Sequence, residues 1–237
     1  MRDILKVFVD GIKEICGENL NSVILYGSRA SGEATEKYSD YNLLIVLEED
    51  RFHDLKLFAG PVRKWIKHGN PAPLIFTMSR FKKSFDVFPI EFLEMKEHHK
   101  ILYGNDPLEG LNIEQGNLRH EVEFELKGKL LKMRQGFIMT SCNQNKIREL
   151  LINSISIFLV LFRQVIRLTG EVPPAKRIDS LKRISELAGI NTSPFVSVIK
   201  MKENAKESKG IVPETVFEEY IKEIEKAIDF VDNLGVN

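Results

Sequence analysis

The hydrophobic pattern changes period once, near residue 112, and this limits the chain to two differently built halves. Before the change, short β-rich runs (SVILYG, YNLLIVLEE, APLIFTMS, PIEFLEMKE and a short HKILYG) interleave with helical patterns. The first helical stripe, MRDILKVFVDGIKEIC, sets Ile4, Leu5, Val7, Phe8, Ile12 and Ile15 on one face. A second helix is expected across RFHDLKLFAGPVRKWIKHG, interrupted near Gly60-Pro61. After NDPLEGL every segment reads as helix. One amphipathic run covers 112–139, and another runs from near Asn145 to Leu168 and stops at Thr169-Gly170. Shorter helices fit 177–188 and 194–208, and a last one follows Thr215 as its cap. The expected fold class is α+β: a mixed sheet flanked by helices over residues 1–111, then an all-α antiparallel bundle over 112–237.

Composition removes several function classes. The chain has 237 residues, enough for two cores, with 34 basic against 34 acidic side chains. No whole-molecule field exists to draw nucleic acid or an anionic membrane surface. The two cysteines, Cys16 and Cys142, fit no metal spacing, and their scarcity suits a reducing cytoplasm. Each reads as a small buried apolar residue. Acids at Asp3 and Asp10 argue against a signal peptide, and ISIFLVLF is interrupted by Arg163 before it could span a bilayer. The expectation is a cytoplasmic protein.

Chemistry concentrates in residues 23–46, VILYGSRASGEATEKYSDYNLLIV. A strand runs into a Gly-Ser turn, a polar loop follows, and a second strand opens with an acid at Asp40. Gly27 lets the backbone turn sharply and approach a ligand. N–H groups beginning a helical turn at 28–32, with the Ser28 hydroxyl, suit phosphate oxygens. On a strand, residues 40 and 42 share a face, so Asp40 and Asn42 offer two oxygens toward one Mg²⁺. That arrangement points to phosphoryl or nucleotidyl transfer.

The pattern G-S-R-A-x-G followed by Y-S-D-x-x-L-x-x-V resembles the nucleotidyltransferase superfamily related to DNA polymerase β, in its minimal and kanamycin-type forms. The matching positions are Gly27, Ser28, Gly32, Ser39 and Asp40. The resemblance implies a nucleotidyltransferase-type mixed sheet, ATP or another NTP as substrate, and Mg²⁺ held by acids. It carries nucleotide binding to Gly27, Ser28, Arg29 and Ser39, and metal binding to Asp40, Asn42 and a third acid from a neighbouring strand. Glu91, in FPIEFLEM, is the candidate for that acid. Farther on, Glu125-Leu-Lys-Gly-Lys129 is similar to a family piece in which Glu125 would act as general base and Lys129 would contact phosphate. Their i, i+4 spacing puts both on one helix face. The alternative for this pair is a solvated helix contact.

One departure stands out, because Asn42 occupies the position of the family's second acid. A unit charge about 4 Å from a cation is worth up to about 4 kcal/mol at an effective dielectric near 20. At about 1.4 kcal/mol per decade, its loss costs one to three decades in metal affinity or rate. Two functions therefore stay open. One is transfer of a nucleoside monophosphate to a hydroxyl of a small molecule or protein, with the acceptor in a cleft between the halves. The other is a non-catalytic nucleotide-binding, antitoxin-like or regulatory protein, with a second copy or another protein as its partner. Three other features carry less. Arg63 and His68 have an R-x4-H spacing outside the helical half where a nuclease would place it, and His98-His99 lack partners for zinc. Arg163 and Arg167 either reach phosphate or mark the solvent edge of their helix.

Overall fold

The computed structural model describes residues 4–31, 40–49, 51–204, 206–208 and 210–235. The chain divides into two compact units, Met1–Ile113 and Glu114–Asn237. Gly32 and Ser39, which carry part of the family resemblance, lie outside the described residues.

The first unit opens with α1 (Ile4–Cys16), then β1 (Leu20–Tyr26), a short α2 (Ser28–Ser31) and β2 (Asn42–Leu47). It continues through α3 (Phe52–Lys67), β3 (Leu74–Thr77), α4 (Met78–Lys83), α5 (Pro89–Glu97) and β4 (His99–Gly104). The sheet order is β3-β2-β1-β4. β1 runs antiparallel to both β2 and β4, whereas β2 and β3 are parallel. The two central strands carry unbroken apolar runs, Val23–Leu25 and Leu43–Leu47, because both of their faces are covered there. Val23, Leu25, Leu43, Ile45 and Leu47 face Phe8, Ile12 and Trp65 of α1 and α3. The alternating set, Ile24, Leu44 and Val46, faces Phe81, Phe92 and Met95 of α4 and α5.

PIEFLEMKE, expected as a strand, is helix α5. Pro89 occupies the first turn, where a missing N–H costs nothing and its fixed φ is already helical. Helical spacing then buries Ile90, Phe92 and Met95. Phe92 sits edge-on to Phe81 at 4.9 Å and Phe85 at 5.2 Å, an aromatic cluster that a strand pairing into the sheet could not fill. The expected break at Gly60-Pro61 is also absent, since α3 passes through Pro61. The carbonyl deprived of a donor belongs to Leu57, on the exposed side, while Phe58 and Trp65, seven residues apart, anchor both halves to the core.

The second unit is helical: α6 (Gln115–Met139), α7 (Gln144–Leu168), α8 (Ser180–Ala188), α9 (Ser193–Lys202) and α10 (Pro213–Asn233). α7 packs against each of the other four. Asn143 caps α7, its side chain accepting from the N–H groups of Asn145 and Lys146. Among the described residues, α7 is the one helix long and apolar enough to cross a membrane; here its apolar side forms the centre of the bundle. Phe158 and Phe195 lie against Tyr220, whose hydroxyl reaches Ser154 Oγ at 3.1 Å.

Four expectations for this half change. α9 stops at Lys202, and a separate turn of 3₁₀ helix covers Lys206–Ser208. α10 starts on Pro213, so Thr215 lies inside it and caps nothing. Arg163 does not mark a solvent edge: it is 1% exposed and donates to the carbonyls of Pro174 and Ala175. Cys142 is exposed, in a left-handed turn at φ 60°, while Cys16 is buried as expected.

Candidate functional site

Three strand ends meet where β1 leaves the sheet. Tyr26, the last residue of β1, pairs with Asn42 on β2 and with His99 on β4. Gly27 follows at φ +80°, a conformation that L side chains rarely adopt. Its N–H donates to the His98 carbonyl at 3.3 Å, and its carbonyl accepts from Ala30 N–H at 2.9 Å as α2 begins. A Cβ built on Gly27 would stand 3.2 Å from Asn42 Nδ2. The glycine is therefore required twice, for its φ and for the space taken by the Asn42 amide.

Arg29 projects from α2, its guanidinium 4.0 Å from the centre of the Tyr41 ring, a cation–π contact. Tyr41 is itself held: its N–H donates to Asn70 Oδ1 at 3.1 Å, and its ring lies 5.9 Å from Trp65. Trp65 is fixed by donating to the Pro71 carbonyl at 2.8 Å. A positive charge is thus placed beside the glycine turn on a half-buried aromatic support.

Glu91 reaches this corner from a helix. It lies exposed in the first turn of α5, where a carboxylate suits the helix dipole. Its charge acts on Tyr26: burial first, then Glu91, pushes the Tyr26 phenol up to about 12. Glu94 is three residues along the same helix, so the pair share a side. Asp40 stands exposed just before β2, and Asn42 is half-buried as its first residue.

Among the described residues, the donor set falls short of a divalent-metal centre. Asp40 supplies a carboxylate and Asn42 an amide. β3, the strand beside β2, carries Leu74, Ile75, Phe76 and Thr77 and no acid. Among the described residues, no group of three or more His, Cys, Asp or Glu side chains could hold a metal ion. The site's fixed features are the left-handed glycine, the amide over it and the Arg29 cation.

Glu125 and Lys129 lie on α6 in the second unit and form an ion pair at 2.9 Å. Arg63 sits exposed on α3 and His68 exposed just past its end, where His68 Nδ1 meets the Lys64 carbonyl at 2.8 Å. His99 is bound to Asp106 at 3.2 Å. A pocket of about 470 Å³, lined by Leu47, Ile75, Phe76, Arg80 and Lys83, opens at the opposite end of β2 and β3 and shares no residue with the glycine corner. Tyr26, Tyr41, Asn70 and the His98 carbonyl were not singled out from the sequence. Only the Tyr38-Ser39-Asp40-Tyr41 run hinted that an aromatic group stands beside the acid.

Residues 9–102, which include all four strands up to Leu102, match the family model described as nucleotidyltransferase domain. The whole chain is similar in structure to a spectinomycin adenyltransferase from Enterococcus faecialis, solved with ATP and spectinomycin, at a TM-score of 0.58. That likeness covers 97% of this chain and 98% of the other at 12% sequence identity, so it speaks to the fold. No curated protein matches the chain.

Proposed function

With residues 9–102 forming a nucleotidyltransferase domain, a transferase by class, we propose that the protein moves a nucleoside monophosphate from ATP to a hydroxyl of a small molecule. In that reaction the hydroxyl oxygen bonds to the α-phosphorus and the bond from that phosphorus to the bridging oxygen breaks. Pyrophosphate leaves, and the hydroxyl proton passes to a base. The observation that carries the reading is the glycine corner, where a φ of +80° at Gly27 lets backbone approach a phosphate beside the Arg29 guanidinium.

In this reading Arg29 meets phosphate charge, and Gly27 with the start of α2 gives the phosphates their close backbone approach. Asp40 and Glu91 bound the corner with negative charge. Glu125 takes the acceptor proton, with Lys129 holding its carboxylate at 2.9 Å. Mg²⁺, implied by the resemblance, supplies charge neutralisation in enzymes that hold it. The donor set here does not fit it, and no step is assigned to it. The setting is the cytoplasm, where ATP is available. The acceptor class tested first is the aminocyclitol, because the structurally similar enzyme was solved with spectinomycin.

Asn42 and the acid-free β3 favour a second reading, a protein that binds nucleotide without turning it over. One experiment separates the two. The protein is incubated with α-labelled ATP and spectinomycin, or a panel of other polyhydroxyl acceptors, and both label transfer and pyrophosphate are followed. Transfer with stoichiometric pyrophosphate supports the enzyme. ATP binding without turnover, persisting in an Asn42→Asp variant, supports the second reading.

A further inference from the structure

α6 turns a row of large apolar side chains to solvent. Phe124, Leu131 and Ile138 are 74%, 58% and 77% exposed. They recur every seven residues and so line up along one side of the helix. His120, Gly128 and Gln135 complete that side. The opposite side, with Leu118, Val122, Leu126, Leu130 and Met133, is buried in the bundle. An amphipathic helix needs only one apolar face to join a bundle, so the second row calls for a cover.

The charges on α6 indicate what covers it. From Gln115 to Leu126 the helix carries Glu121, Glu123 and Glu125 against Arg119. From Lys127 to Met139 it carries Lys127, Lys129, Lys132 and Arg134 and no acid. A second copy laid antiparallel sets each acidic half on a basic half, whereas a parallel copy sets like on like. The apolar row keeps step with the same arrangement. Placing Phe124 against Leu131 of the second copy brings His120 opposite Gln135 and, on one flank of the row, Glu121 beside Lys132. Lys127 then faces Gly128 beside the twofold axis. Nothing lies within 4 Å of a Cβ built on Gly128, so the surface is open at the crossing.

We infer that α6 is a homodimer interface, two copies of this chain packing antiparallel through Phe124, Leu131 and Ile138 about a twofold axis near Gly128. The inference does not depend on the transferase reading. Sedimentation equilibrium on the full chain is expected to give twice the 27.2 kDa monomer mass. Leu131→Glu should return it to monomer with an unchanged circular dichroism melt, and Val172→Glu, at an 89% exposed position off this helix, should leave the dimer intact.

Register is read by crosslinking in a Cys142→Ser background. A chain carrying both His120→Cys and Gln135→Cys should oxidise to a disulfide-linked dimer. Neither single variant should do so, because antiparallel pairing holds two copies of one such position about 22 Å apart, 15 residues at 1.5 Å each. Monomer at every concentration, a dimer indifferent to Leu131→Glu, or single variants that crosslink as readily as the double would overturn the inference.

Discussion

Replacing Asn42 with Asp tests the metal question with almost no change of shape. One NH₂ becomes an oxygen, at a position where Asn42 Nδ2 already lies 3.2 Å from the place of a Gly27 Cβ. The new charge stands two residues from Asp40 on a half-buried strand start. Without metal, two like charges there cost up to about 1 kcal/mol of stability, since they sit near water. With a divalent ion about 4 Å away, the new charge contributes up to about 4 kcal/mol at an effective dielectric near 20. Partial exposure reduces that figure, leaving a gain of one to three decades in affinity at about 1.4 kcal/mol per decade. The assay is Mn²⁺ titration by electron paramagnetic resonance, with and without a non-hydrolysable ATP analogue, on both proteins. Urea denaturation with and without Mg²⁺ provides the stability side. Wild type should bind Mn²⁺ weakly, and the variant at least tenfold more tightly. Affinities within twofold of each other would refute the placement of residue 42 on a metal-facing side.

Other expectations follow from the same geometry. Gly27→Ala must hold a side chain at φ +80° and displace the Asn42 amide, which should cost about 1–2 kcal/mol in urea denaturation. In an alkaline absorbance titration Tyr26 should ionise well after an exposed tyrosine, with a midpoint lowered by Glu91→Gln, because Glu91 contributes to its rise. The folded state holds that proton more tightly than the unfolded chain. The stability this contributes is complete below pH 10 and should be lost as pH rises toward about 12, as denaturation at a series of pH values will show. Phe92→Ala, at the middle of the ring cluster under the sheet, should cost about 3–5 kcal/mol.

Much of the frame was legible because burial imposes a period. β1 and β2 are apolar on both faces, and the glycine between them had to turn, so their ends could be placed from residue types alone. α5 was misread because Ile90, Phe92 and Glu91 alternate as a strand would. The deciding facts, Pro89 at the first turn and the partner rings Phe81 and Phe85, involve packing that no local pattern records. Arg163 was misread for a related reason. Its partners are carbonyls eleven and twelve residues away, and those satisfy a buried guanidinium that an apolar helix gives no cause to expect. The glycine corner was visible as a motif, but its content was not. Asn42 closing over Gly27 and Arg29 lying on Tyr41 depend on how strands and α2 meet. Glu91 reads in the sequence as a metal-binding acid on a neighbouring strand, whereas it stands on helix α5, from which its charge raises the Tyr26 phenol.

The most direct test of the account is calorimetric titration of ATP into the wild-type protein and into Gly27→Ala, at a temperature where both are folded. Saturable binding by wild type, weakened at least tenfold in the variant, is the predicted result. No ATP binding by wild type, or equal affinity in both proteins, would contradict the claim that the corner at Gly27 holds the nucleotide.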